Sequence, residues 1–112
     1  MIDLGLRPTN HTDFVVTPLD QMFVVWTAVN RISRSGAVIG ADQRVSPYEA
    51  LRAITVDAAA QYCEAGLKGT LTAGKLADLV VLDGNPLTVD PMAIKDIGVV
   101  ETIKEGRTVY QA

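Results

Sequence analysis

Leu19, Met22, Phe23, Trp26 and Val29 recur at helical spacing, and the apolar stripe they make predicts a helix running to about Arg31. Thr17, Pro18 and Asp20 supply its start, as a cap, a first-position proline and an acid three residues after the cap. Residues 33–45 hold two glycines and no sustained period, so they read as a loop with a short extended piece at 37–39. Ser46, Pro47 and Glu49 form a second capping box, opening a helix over 47–54 with Leu51 and Ile54 on one face. Thr55 reads as the cap of a third helix, alanine-rich, from Val56 to about Cys63 and ended by Gly66.

After Gly69 the period changes. Residues 79–82 are a continuous apolar run between turn residues, which predicts a strand covered on both faces. Asp90 and Pro91 can cap one short helical turn through Lys95. Residues 98–104 and 107–111 flank Glu105 and Gly106, a pair suited to a tight hairpin. At the other end, residues 4–16 are β-prone, and any strand there starts near Pro8, which cannot donate to a ladder. The order is a short N-terminal strand, three helices, then a small β-sheet with a C-terminal hairpin. The expected class is α+β, in a single domain over residues 1–112.

At 112 residues the chain can bury a core but is too short for a complete eight-fold barrel of roughly 250. It is 48% hydrophobic and 21% charged, an ordinary globular balance. With net charge −3, pI about 4.9 and scattered basic residues, it has no stripe for a phosphate backbone, so no nucleic-acid partner is expected. Arg31 and Arg34 read as a solvated helix end. No apolar run reaches the roughly 20 residues that span a bilayer, so no membrane partner is expected either. Residues 1–7 lack the basic start and apolar core of a secretory leader. Cys63 is the single cysteine; it excludes an internal disulfide and points to a reducing cytoplasm. It reads as a small buried apolar side chain rather than a nucleophile.

One constellation can carry chemistry. In an extended segment His11 and Asp13, two apart, point to one face and into one pocket. Asp13 can equally cap the turn before the helix at Thr17, and a lone His11 beside a turn is ordinarily a hydrogen-bonded structural residue. A zinc-like site takes three or four ligands from His, Cys and carboxylates, whereas this chain offers one His and one Cys about fifty residues apart. The glycines form no phosphate loop, since neither Gly-x-Gly-x-x-Gly nor Gly-Lys-Ser/Thr occurs. Lys75 and Asp78 flank a turn and a strand start and read as structural. Phe23 and Trp26 read as core.

The string over residues 69–86, with Gly74, Lys75, Ala77, Asp78, Leu79, Val80, Val81, Leu82 and Asp83 at its centre, resembles the last stretch of the metal-dependent amidohydrolases. Residues 101–110, with Ile103, Gly106 and Tyr110, continue the likeness, which is nearest to a subgroup of large uncharacterised members acting on non-peptide carbon–nitrogen bonds. The block from Asp13 through Val16, Pro18 and Asp20 to Asn30 and Arg31 resembles that family's eighth barrel strand and helix, with Val15 in place of a proline. The resemblance implies that residues 1–66 match the last strand and helices of a TIM barrel and 67–112 the C-terminal part of the small composite β domain. It implies a divalent, zinc-like metal in the full-length family, with Asp13 as the carboxylate that binds it or takes a proton from the attacking water. His11 matches none of the family's metal histidines by motif. The His-x-His pair, the bridging lysine and the later histidines are absent.

Two readings follow. In one, the chain is the C-terminal part of a carbon–nitrogen hydrolase and supplies Asp13, and distantly His11, to a site completed by a missing N-terminal polypeptide. Alone it would then hold no metal and be inactive. In the other it is a catalytically silent module that self-associates as a homo-oligomer, because its strand edges and the Leu19–Trp26 stripe have lost what the family packs on them.

Overall fold

The computed structural model describes residues 2–112. In chain order these form a 3₁₀ turn (Ile2–Leu4), helix α1 (Gln21–Asn30), a 3₁₀ turn (Ala41–Gln43), helices α2 (Pro47–Ile54) and α3 (Val56–Gln61), strand β1 (Leu79–Leu82), a 3₁₀ helix (Pro91–Asp96), and strands β2 (Val99–Lys104) and β3 (Arg107–Gln111). The mixed class is as expected, but the N-terminal strand is not formed. A strand needs a neighbour to take its N–H and C=O groups. Among the described residues none lies alongside this segment, and the Asn10 N–H instead donates to the Ala53 carbonyl of α2 at 3.3 Å.

Helix α1 starts three residues later than its first signal. The Asp20 carboxylate, not the Thr17 hydroxyl, accepts the Phe23 N–H at 2.9 Å. Thr17 Oγ1 donates to the Thr12 carbonyl at 2.6 Å. The Asp20 carboxylate satisfies a free helix donor and complements the positive end of the helix dipole, while the Thr17 hydroxyl is engaged at Thr12. Leu19 consequently falls outside the helix and is 70% exposed. The box that opens α2 forms as its sequence predicts: Glu49 N–H donates to Ser46 Oγ at 3.2 Å and Ser46 N–H to Glu49 Oε2 at 2.8 Å. Thr55 stands at the start of α3 but makes no cap, its hydroxyl donating to the Leu51 carbonyl at 2.7 Å. Cys63 lies past the end of α3 with φ of 60° and is exposed, which corrects the buried position expected for it.

The core gathers Met22, Val25, Trp26 and Val29 of α1 with Ala50 of α2 and Ile94 of the 3₁₀ helix, and Val25 and Ile94 are fully buried. Asn30 Nδ2 donates to the Trp26 carbonyl at 3.1 Å and the Pro91 carbonyl at 2.9 Å, so α1 is bonded to the element that covers it. From Met22 onward the stripe is therefore closed by this chain's own 3₁₀ helix, held at its start by Asp90 accepting the Met92 N–H. It is not the bare patch that the sequence suggested.

The sheet has the order β1–β2–β3, all antiparallel, with Val80 opposite Thr102 and Thr102 opposite Tyr110. Glu105 and Gly106 both take positive φ, 51° and 78°, the turn that matches the twist of paired strands. Asp78 accepts the Glu105 N–H at 2.9 Å and Asp83 the Gly98 N–H at 2.8 Å, pinning both ends of β1. Lys75 Nζ donates to the Ala65 carbonyl at 2.6 Å, so both Lys75 and Asp78 are structural, as expected. Strand β1 is not covered on both faces: Val80 is 53% and Val81 43% exposed, because among the described residues no second layer packs closely over that part of the sheet.

Candidate functional site

His11 and Asp13 do come together, though not on one face of a strand. Asp13 takes the left-handed conformation, φ 49°, and begins a turn closed by the Val16 N–H donating to the Asp13 carbonyl at 2.7 Å. The Asp13 N–H donates to His11 Nδ1 at 3.0 Å, so the pair is held by a local turn. Both side chains are exposed, while Thr12 between them is buried. The turn is bonded through backbone, and among the described residues no hydrogen bond or ion pair engages the Asp13 carboxylate. Asp13 is thus not the cap of the turn before the helix; its carboxylate is presented outward.

The preceding residues set where that turn stands. Thr9 Oγ1 donates to Gln61 Oε1 of α3 at 2.6 Å, and Asn10 Nδ2 to the Val24 carbonyl of α1 at 3.5 Å. Arg7 Nε lies 2.6 Å from Asp57 Oδ1. Asp57, buried at the start of α3, was not legible as a site-related residue: an acid in the first turn of a helix is commonplace, and nothing in the sequence links it to Arg7.

These side chains fit a divalent metal poorly by themselves. Asp13 offers one carboxylate. His11 Nδ1 is occupied as the acceptor of the Asp13 N–H, so that nitrogen is not free for a metal. Among the described residues no three of His, Cys, Asp and Glu come together as a metal-holding group. What the arrangement can do chemically is offer one unpaired carboxylate as a proton acceptor or as a single ligand.

A concavity of about 710 Å³ lies between α2–α3 and the sheet, walled by Ile54, Ala58, Tyr62, Leu79, Val81 and Ile103. It is mainly apolar and includes neither His11 nor Asp13. At its rim Lys68 Nζ pairs with Glu64 at 2.8 Å, and that bond raises the lysine above its ordinary range.

Residues 1–110 match the model of the Amidohydrolase family. The chain is 31% identical over 111 residues to an N-substituted formamide deformylase of Arthrobacter pascens, an alignment taking in 99% of this chain and 20% of that protein. The crystal structure of an amidohydrolase from Thermotoga maritima MSB8 superposes with a TM-score of 0.71 at 24% identity, over 99% of this chain and 24% of that one, a likeness of fold. A crystal structure of an uncharacterised protein shares 36% identity and a TM-score of 0.56 over 64% of this chain and 18% of that one. The chain thus spans about a fifth of the length of the curated relatives it matches.

Proposed function

We propose, on the premise that this chain belongs to the amidohydrolase family, that it forms part of a hydrolase of non-peptide carbon–nitrogen bonds and contributes Asp13 to the catalytic centre. The observation that carries this reading is the exposed Asp13 carboxylate, without a partner among the described residues, in the block that resembles the end of the family's eighth barrel strand. A carboxylate so placed accepts a proton from the water that attacks the carbonyl carbon. The family is generally metal-dependent; Asp13 would offer such a metal a single ligand, and the metal would supply polarisation of the carbonyl. The match to an N-substituted formamide deformylase makes N-substituted amides the first substrates to try.

The test is complementation. A relative truncated of its last fifth is mixed with this chain, or fused to it, and assayed on N-substituted formamides, imides and carbamates. Turnover that returns with the wild-type chain and is lost with Asp13→Asn supports the reading; equal turnover with Asp13→Asn overturns it. The 112-residue chain alone is expected to show no turnover and, by elemental analysis, no stoichiometric metal.

A second reading, a silent module that self-associates, is favoured by the sheet. Both of its edges, β1 and β3, are open within the chain, and Val80, Val81, Val109 and Tyr110 are exposed. The exposed single thiol of Cys63 fits a reducing compartment such as the cytoplasm. Among the described residues no helix is long and apolar enough to cross a membrane.

A further inference from the structure

We infer that Asp57 is a positioning residue, which through Arg7 fixes residues 7–10 against the helices and so sets where Asp13 stands. This rests on the reading of Asp13 as the site carboxylate.

Among the described residues the buried polar side chains are Thr12, Asn30 and Asp57, and only Asp57 is charged. A buried carboxylate is costly unless it is paired and hydrogen-bonded. Asp57 Oδ1 lies 2.6 Å from Arg7 Nε and 3.3 Å from Arg52 Nη2. Arg52 sits five residues away across the α2–α3 junction and already supplies local neutralisation, as does the positive end of α3. Arg7 lies fifty residues away along the chain. Its bond, the shorter of the two, is the one that fastens a distant segment.

That segment has little slack. Pro8 restricts the backbone directly after Arg7. Thr9 is bonded to Gln61 of α3, and Asn10 to Ala53 of α2 and Val24 of α1, so successive residues hold successive helices. From Asn10 onward the path is closed bond by bond. Asn10 Oδ1 accepts the His11 N–H at 3.0 Å, and His11 Nδ1 accepts the Asp13 N–H at 3.0 Å. Thr12 is buried, with its carbonyl taken by Thr17. A shift at Arg7 is thereby passed to Asp13, and a misplacement of about 1 Å in a reacting group is enough to cost roughly a hundredfold in rate.

Amide hydrogen exchange on the 112-residue chain tests this without reference to turnover. In Arg7→Gln and in Asp57→Asn, exchange at the Asn10 and Asp13 amides should accelerate roughly fivefold or more, the loss expected of a half-exposed ion pair. Amides of residues 24–29 and 102–104 should stay within about twofold of wild type. Arg7→Lys, which keeps a cation in reach, should restore much of the protection at Asn10 and Asp13. Unchanged protection of Asn10 and Asp13 in Arg7→Gln overturns the inference. So does an acceleration shared equally by α1 and the sheet, since that is what a general loss of stability would produce. If Asp57→Asn fails to fold, Arg7→Gln alone decides, because the Arg7 side chain is half exposed and no part of the core. Should Asp13→Asn leave a complemented enzyme active, the catalytic reading fails while the exchange result stands, so the two failures are told apart.

Discussion

The Trp26 indole N–H donates to the Met92 carbonyl at 3.2 Å, joining α1 to a short helix 66 residues further along the chain. Phe23 stacks beside Trp26 with ring centroids 5.7 Å apart, and Lys95 Nζ lies 5.3 Å from the centre of the Trp26 ring. Fully buried Ile94 sits in the same cluster. The core thus depends on a contact between two segments far apart in the sequence.

Ile94→Ala should therefore destabilise the chain by about 2–5 kcal/mol, as expected for a large-to-small change at a site with no exposure. Because Trp26 is the single tryptophan and lies in this cluster, its fluorescence in a urea titration reports the loss directly. A midpoint equal to wild type would mean that the 3₁₀ helix over Pro91–Asp96 does not cover α1 in solution.

The two helix starts should respond differently to mutation. Asp20→Ala and Ser46→Ala should each cost about 1 kcal/mol. Asp20→Ala should also speed exchange of the Phe23 amide, whereas Thr17→Ala, which removes no bond to that amide, should leave it unchanged. Equal acceleration in both would return the cap to Thr17.

Glu49 adds a pH dependence. Hydrogen bonds from the Ser46 backbone and hydroxyl hold its carboxyl below the usual 4.5. A group depressed on folding contributes stability that is fully present above its unfolded value and is lost as pH falls through its folded value. The difference in melting temperature between wild type and Glu49→Gln should therefore be largest near neutral pH and shrink below about 4.5. A difference that is flat with pH, or that grows in acid, would show that the box does not depend on the charge. The side chain is only partly buried, so the effect is expected to be small and weakened by salt.

Gly69 takes φ of 90°, and a Cβ there would stand 2.7 Å from the Ala59 Cβ and 3.2 Å from the Thr55 carbonyl oxygen. Gly69→Ala combines backbone strain with a clash against α3 and should cost about 1–3 kcal/mol. The same change at Gly74, which has the same φ but open space around it, should cost less. Thermal melts of the two variants give the comparison, and equal losses would leave backbone strain as the whole effect.

The open sheet edges lead us to expect self-association at micromolar concentration. Sedimentation equilibrium should give a mass above 12.0 kDa, and Val80→Lys, which places a charge on the exposed edge strand, should shift it toward the monomer. A wild-type chain sedimenting as a clean monomer would show that this face stays solvated. The α1 stripe contributes nothing to the expectation, since Ile94 and its neighbours already cover it.

The features legible in the sequence are those whose partners lie within a few residues. Ser46 finds Glu49 three positions on, Asp90 finds Met92 two positions on, and Glu105 with Gly106 closes a hairpin between adjacent strands. Short-range bonds of this kind are dictated by residue type and spacing alone, so the helices after Ser46 and the C-terminal hairpin could be placed from the residues themselves. The family was legible for a related reason, being written in contiguous strings such as residues 69–86, and the block that starts at Asp13 singled out that carboxylate. Tertiary structure decided whatever depends on a distant or absent neighbour. Residues 4–16 have β-prone composition but no strand beside them, so their backbone bonds go to α2 and to local turns. Thr17 and Asp20 offered competing helix starts, and the bond from Thr17 to Thr12 left the cap to Asp20. Apolar Val80 and Val81 signalled burial, yet burial requires a second layer that these residues do not have. The pairing of Asp57 with Arg7 spans fifty positions, and only the packing of α2 and α3 against the N-terminal segment brings the two charges together.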